Sequence, residues 1–225
     1  MSHVLITGAN KGIGLEFAKQ YLSRGNNVIA CCRDPSTANE LQRLVDSGLD
    51  VLSLDVSDET AIERLPALLA GRKVSLFINN AGAYGAAQSL DQVQTSEWIA
   101  VMKVNTIAPL LVARAILPSM EEGGKLAFLS SKMGSIADNS SGSAYIYRTS
   151  KTALNQVVRS LSYDLSPLGL AVVALHPGWV KTDMGGPNAL IDTKTSVSGM
   201  VSVIDCLDLA KSGKFFNYQG VQIPW

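Results

Sequence analysis

His3-Val4-Leu5-Ile6-Thr7-Gly8-Ala9-Asn10-Lys11-Gly12-Ile13-Gly14, running into Leu15 to Ser23, is the stretch that decides the fold. A short apolar, β-branched run reads as a strand, the glycines as a turn, and Leu15 to Ser23 as a helix. Glycines let backbone approach closely, and a helix N-terminus offers free N–H groups and the positive end of a dipole. The three together form a cradle for phosphate. Gly8, Asn10, Lys11, Gly12, Ile13 and Gly14 are its candidate residues.

The same alternation continues along the chain. Asn27 to Cys32 is a second apolar strand, followed by Arg33-Asp34-Pro35 and a helix through about Val45. Asp50 to Leu54 is a third strand ending at Asp55-Val56-Ser57-Asp58, where Ser57 or Asp58 can cap the next helix. Val74 to Ile78 is a fourth, ending in Asn79-Asn80-Ala81-Gly82, and Ser96 to Met120 is long and mostly helical. Lys125 to Leu129 runs into Ser130-Ser131, a helix covers Ala144 to Leu161, and Leu170 to Leu175 runs into His176-Pro177-Gly178-Trp179. A helix from about Val197 to Ala210 and a short strand at Lys214 to Phe216 close the order. The strands are continuous apolar runs, as expected where helices cover both faces of a parallel sheet. The expectation is an α/β fold: one Rossmann-type, doubly wound parallel sheet of about seven strands in a single domain, residues 1–225. Ligands in such sheets bind beyond the carboxyl ends of the strands. Gly8 to Gly14, Arg33, Asp55, Asn79 to Gly82, Ser131 and Pro177 to Thr182 all fall at such ends.

Composition narrows the function. With 47% hydrophobic and 17% charged residues, and 19 Lys and Arg against 19 Asp and Glu, no bulk charge recruits nucleic acid or an anionic membrane. Three cysteines, two of them adjacent at Cys31 and Cys32, make no disulfide framework and point to a reducing, cytoplasmic compartment. Met1 to Thr7 enters the first strand directly, leaving no room for a signal peptide, and no apolar run is read as a membrane span. Cys206 and His176 have no partner at metal-ligand spacing, so no metal is expected, and His176 reads as structural.

One further pair carries chemistry. Tyr147 and Lys151 lie four residues apart in the Ala144–Leu161 segment, so both project from one helix face. A cation beside a phenol favours phenolate and brings the tyrosine toward useful proton transfer. Tyr145 has Thr149 four residues on, so only Tyr147 fits.

Thr7-Gly8-x-x-x-Gly12-x-Gly14, Asn79-Asn80-Ala81-Gly82, Asn105, Ser131, Tyr147-x-x-x-Lys151 and Pro177-Gly178 occur together and in order. As a set they resemble the short-chain dehydrogenase/reductase family over the whole chain. Tyr147 to Asn155, His176 to Gly186 and the ending Ile223-Pro224-Trp225 look like its C-factor/sniffer-type carbonyl reductase branch. The resemblance implies a nicotinamide cofactor and a catalytic set of Asn105, Ser131, Tyr147 and Lys151. In it Tyr147 is the acid in reduction or the base in oxidation, and Lys151 bonds the nicotinamide ribose. Ser131, with Ser130 as the alternative, holds the substrate oxygen, and Asn105 shapes the central helix and holds a water that relays protons to Lys151. Ser131 lies sixteen residues before Tyr147, which implies a loop insertion near Asp138 to Gly142.

The resemblance also places Asp55 and Val56 on adenine, Asn79, Ala81 and Gly82 along the ribose, and Pro177, Gly178, Val180 and Thr182 near the carboxamide and diphosphate. Relatives that prefer NAD carry an acid at the end of the second strand. Here that position is Cys32, followed by Arg33, with Lys11 in the glycine turn, and two cations there favour NADP(H) over NAD(H). The rival acid, Asp34, precedes Pro35 and is better placed as a helix cap. Tyr84, Met133, Trp179 and Met184 follow site motifs and are the candidate substrate pocket. The reading is an NADPH-dependent reductase of a ketone or aldehyde. A cofactor-binding signalling protein and an NAD-dependent alcohol dehydrogenase are the alternatives. The family implies a homodimer or homotetramer built on Ser96–Met120 and Ala144–Leu165.

Overall fold

Seven parallel strands hydrogen-bond in one sheet in the computed structural model, which describes residues 2–86 and 89–225; Met1, at the head of the first strand, lies outside them. The strands are β1 (Ser2–Thr7), β2 (Asn27–Cys32), β3 (Leu49–Ser53), β4 (Lys73–Asn79), β5 (Met120–Leu129), β6 (Ala171–His176) and β7 (Lys214–Asn217), in the order β3-β2-β1-β4-β5-β6-β7. The order reverses between β1 and β4, so the carboxyl ends of these two strands open onto a crevice. The helices are α1 (Gly12–Ser23), α2 (Asn39–Gln42), α3 (Glu59–Leu69), α4 (Thr95–Met102), α5 (Ala108–Ile116), α6 (Tyr145–Leu165) and α7 (Thr193–Asp205).

Side-chain alternation along each strand builds two cores. Leu5, Phe77 and Phe128 face Leu65 of α3, Ile116 of α5 and Leu154 and Val158 of α6. Val4, Ile6, Ile78 and Val173 face Phe17 of α1, Leu41 of α2 and Met200 of α7. Both faces of the sheet are therefore covered, which is why the strands read as unbroken apolar runs.

The structure departs from the sequence expectation at three elements. The helix expected through Val45 is broken into a turn at Pro35–Thr37, the single turn α2, and another at Val45–Ser47. Asp34 caps the first of these by accepting from Ser36 N at 2.9 Å, and Ala38 leaves helical geometry at φ −86°, ψ 56°. The helix expected from about Val197 to Ala210 runs instead over Thr193–Asp205: it begins earlier because Asp192 caps it by accepting from Thr195 N at 2.7 Å, and it ends at Asp205 with Cys206 as its C-cap.

The third departure is the segment Thr95–Ser119, which is long and apolar enough to cross a membrane by length and composition, unlike the sequence reading above. One face packs on α3, α6 and the sheet, while Ile99, Ile107 and Leu110 are exposed. Between α4 and α5 this segment widens into a π turn at Lys103–Ile107, with Ala108 N donating to Lys103 O. Pro109 accounts for the widening. It has no N–H to give the carbonyl of Asn105, and its ring crowds that carbonyl in a regular helix.

Candidate active site

The glycine turn fits a phosphate by exclusion of side chains. A Cβ on Gly14 would lie 2.3 Å from Gly8 O and 2.5 Å from Asn80 Nδ2, and one on Gly8 would lie 2.9 Å from Ala81 Cα. Gly8 and Gly12 also hold positive φ, at 64° and 55°. The turn after β4 locks this geometry: Asn80 Nδ2 donates to Thr7 O and Gly8 O at 3.0 and 2.9 Å, and Thr7 Oγ1 accepts from Asn80 N and Ala81 N. No side chain caps α1, so the N–H groups of its first turn point into the crevice.

The crevice has a volume of about 790 Å³, enough for a dinucleotide. Gly8, Asn10, Lys11, Gly12 and Ile13 line one end; Arg33, Asp55 and Val56 line a second stretch. Ala81, Gly82, Tyr84, Tyr147, Lys151, Pro177, Thr182 and Met184 line a third stretch together with Ser130, whereas Ser131 and Asn105 do not line the crevice. Gly14 sits against Gly8 O under the turn, and Asn79 is buried beneath the crevice with its Nδ2 unpartnered. Gly178 packs on Tyr218, and Val180 is buried in a bridge to Ile191.

Two expected pocket residues do not line the crevice. Met133 faces a separate cavity of about 460 Å³ on the outer side of α6, beside Tyr145 and Arg148. Trp179 is half exposed and donates from Nε1 to Gly185 O at 2.7 Å, bracing its own loop. The loop before α6 carries the positive-φ residues Ser143 and Ala144, and Arg148 straps it down by donating to Gly142 O and Ser143 O.

The two cations expected to act together are separated in role. Lys11 Nζ donates to Asp183 Oδ2 at 2.7 Å, tying the glycine turn to the loop after β6. That partner is 172 residues away, so no local pattern announces it. Arg33 lines the crevice, and among the described residues its guanidinium has no hydrogen-bond or ion-pair partner. Asp34 turns away to its capping role, with its carboxyl held below the usual range by Ser36.

The catalytic candidates converge at the end of β5. Tyr147 is buried beside Ser131, whose hydroxyl pulls its phenol down and accepts from Met133 N at 3.2 Å, and the ring of Tyr84 leans on its ring at 4.5 Å between centroids. Lys151 Nζ donates to Leu129 O at 2.9 Å and lies 5.8 Å from the Tyr147 ring centroid. Ser130 is taken elsewhere, donating to Asn155 Oδ1 at 2.6 Å. Asn105 Nδ2 donates to Ala83 O and Ser150 Oγ at 2.7 and 2.9 Å, while its Oδ1 accepts from Ala83 N at 2.8 Å. A Cβ on Gly82 would sit 3.3 Å from Asn105 Oδ1 and 3.6 Å from Lys151 Nζ, so both side chains close on that glycine.

Burial sets the protonation of this group and corrects one sequence expectation. The Tyr147 phenol is pushed up to about 12 by burial, against the pull of Ser131 and with a further push from Tyr84. Lys151 is pushed down to about 8 by burial alone. In the chain by itself Lys151 does not bring the phenol down: burial raises it, and Tyr147 stays protonated near neutrality. His176 is pushed down to about 4, chiefly by burial and then by Lys132, with its Nδ1 unpartnered.

The fold and this site define the class. The short chain dehydrogenase family profile matches residues 2–190, and the chain belongs to that family. Among curated relatives, C-signal of Myxococcus xanthus is 47% identical over 154 residues, covering 68% of this chain and 93% of that protein. Among solved structures, NADPH-bound carbonyl reductase from chicken fatty liver is 39% identical with a TM-score of 0.94, covering 100% of this chain and 99% of that one. Carbonyl reductase Sniffer of D. melanogaster is 34% identical with the same TM-score of 0.94, covering 100% of both chains.

The buried ammonium makes a prediction about stability. Below about pH 8 Lys151 is protonated folded and unfolded, so its burial penalty is felt in full; from there to its ordinary 10.5 the folded chain releases the proton and the unfolded chain keeps it. Folding therefore strengthens with pH across that window. Relative to Lys151→Met, wild type is expected to gain stability as pH rises above about 8, read from urea midpoints. A difference independent of pH across the window contradicts the burial argument.

Proposed function

We propose that the protein is an NADPH-dependent carbonyl reductase that converts a ketone or aldehyde to an alcohol, with Tyr147 as the general acid. The observation that carries this reading is a phenol kept protonated by burial, with Ser131 pulling against that burial, lining a dinucleotide-sized crevice. A reductase needs a proton at the carbonyl oxygen, and a protonated phenol is the form that gives one. The nicotinamide cofactor, when bound, supplies the hydride.

The chain's own residues do the rest. Ser131 and Tyr147 hold the carbonyl oxygen between two hydroxyls, where negative charge develops, and Tyr147 passes its proton to it. Lys151 stands behind Tyr147, bonds the ribose, and with its proton-bearing Nζ stabilises the phenolate left behind. Asn105 spends both amide hydrogens on Ala83 and Ser150, so what it offers a relay water is an acceptor, and its backbone carbonyl fits that part. In a regular helix residue 109 donates to that carbonyl, and residue 109 is a proline. Tyr84 and Met184 form the substrate wall.

Cofactor preference rests on Arg33, which among the described residues makes no hydrogen bond or ion pair although its charge is felt by Asp55, and on the lack of an acid at Cys32. Lys11 contributes only when it leaves Asp183. We further propose the whole chain as one cytoplasmic nicotinamide-dinucleotide-binding domain. We propose self-association as a homodimer or homotetramer through the α4–α5 segment and α6, where Ile99, Ile107, Leu110 and Tyr163 are exposed. A monomeric mass in solution contradicts that assembly.

The test is NADPH consumption with diketones, quinones and aromatic aldehydes, wild type beside Tyr147→Phe. Wild-type turnover is expected, and the variant is expected to lose it while binding NADPH as before, since one hydroxyl is removed and little volume. A variant near the wild-type rate removes Tyr147 from the mechanism. A wild type that binds NADPH and turns over nothing favours the signalling reading that C-signal, at 47% identity, keeps alive. Arg33→Ala is expected to weaken NADPH far more than NADH in a fluorescence titration. Equal losses contradict contact with the 2′-phosphate.

A further inference from the structure

We propose that Asn155 is a positioning residue: it clamps the turn after β5 onto α6 and so sets Ser131 against Tyr147. The inference rests on the reductase reading for its kinetic consequence, though not for its structural one.

Asn155 lies on the buried face of α6 between Leu154 and Val158, at 4% exposure, where a purely apolar contact is the ordinary choice. Its amide reaches the reactive turn at two points. Oδ1 accepts from Ser130 Oγ at 2.6 Å, and Nδ2 donates to Gly134 O at 3.2 Å. Chemistry fixes that orientation, because a carbonyl cannot donate and Nδ2 must therefore face Gly134 O. The two contacts bracket Ser131 to Gly134, the turn closed by Gly134 N donating to Ser131 O at 2.7 Å.

The turn has little freedom elsewhere. Thr152 Oγ1 also donates to Gly134 O, at 2.9 Å. A Cβ on Gly134 would lie 2.8 Å from the carbonyl carbon and Cβ of Lys151, so the turn rests directly on the helix at the catalytic lysine. On its far side Ser135 Oγ donates to Pro224 O at 2.6 Å. Ser130 donates to Asn155, while Ser131 Oγ accepts from Met133 N at 3.2 Å at the start of the turn and pulls on the Tyr147 phenol. A buried polar network whose members are all bonded selects one arrangement over its neighbours. Reaction geometry magnifies that selection, because small displacements of a catalytic group cost large factors in rate.

The experiment compares wild type, Asn155→Ala, Ser131→Ala and the double variant for kcat at saturating NADPH, NADPH affinity, and amide hydrogen exchange. Asn155→Ala is expected to lower kcat about ten- to hundredfold, as when an outer residue no longer holds a catalytic one. NADPH affinity is expected to hold within about twofold, since the residue does not line the crevice. In the Ser131→Ala background the same change is expected to alter kcat by less than about twofold, because it acts through Ser131. The amides of Gly134 and Ser135 are expected to exchange faster while β1, β4 and β5 are unchanged. Wild-type kcat in Asn155→Ala, losses that multiply in the double variant, or unchanged exchange at Gly134 each overturns the proposal.

If Asn155→Ala does not fold, Ser130→Ala removes the first of the clamp's two contacts and leaves the one to Gly134 O, and the same non-additivity with Ser131→Ala is expected. If wild type shows no turnover, the reductase reading fails by itself. The exchange measurement then decides the clamp, with unchanged exchange overturning it.

Discussion

An ammonium group held inside the protein with no carboxylate partner among the described residues is the constraint around which this structure is arranged. Lys151 Nζ is bonded to the backbone oxygen of Leu129, at the last residue of β5, and burial alone pushes the group down to about 8. A charge so placed is costly, and it persists only where surrounding backbone is fixed to receive it. Three features supply that fixity. Gly134 lets the turn after β5 rest on the Lys151 backbone, Gly82 leaves room for Nζ and for Asn105, and Ser150, next to Lys151, ties α6 to the π turn by donating to Tyr147 O and accepting from Asn105 Nδ2. Sheet end, central helix and α6 therefore meet at one lysine.

The same economy operates at the other end of the crevice. The glycine turn, the Asn80 side chain and Thr7 Oγ1 interlock so tightly that a methyl group at residue 14 meets a carbonyl at 2.3 Å. No side chain caps the helix that follows the turn, and Arg33 and Lys181 are cations along the crevice's edge. One end is built to hold an anion, and the other to hold a proton on a phenol. Between them lies a crevice sized for the molecule that joins the two tasks.

Much of this was legible in the chain. Continuous apolar runs punctuated by glycine or polar clusters gave a parallel, doubly wound sheet, and Tyr147 with Lys151 stood out by spacing alone. Other features needed three dimensions. Ser130 is held by Asn155, which carries no motif of its own, while Ser131 is the serine that acts on the Tyr147 phenol. The pairing of Lys11 with Asp183 spans 172 residues, and Met133 follows a site motif yet points to the opposite side of α6. Local capping broke the expected helix after β2, where Asp34 and Pro35 open a tight turn that Ala38 does not continue. The π turn had a local signal in Pro109, four residues after Asn105, whose meaning appears only once the helix around it is seen.

Burial also reversed one inference about protonation. A lysine four residues from a tyrosine argues for a lowered phenol, yet desolvation dominates both groups and leaves the phenol raised to about 12. The central claim is that this protonated phenol serves a hydride transfer to a carbonyl carbon. The most direct measurement supplies NADPH deuterated at the transferable C4 position and follows the label with an accepted carbonyl. Deuterium on the carbinol carbon, with slower single-turnover chemistry than for the unlabelled cofactor, is the result expected. Product that carries no label, or label lost to solvent, contradicts the account.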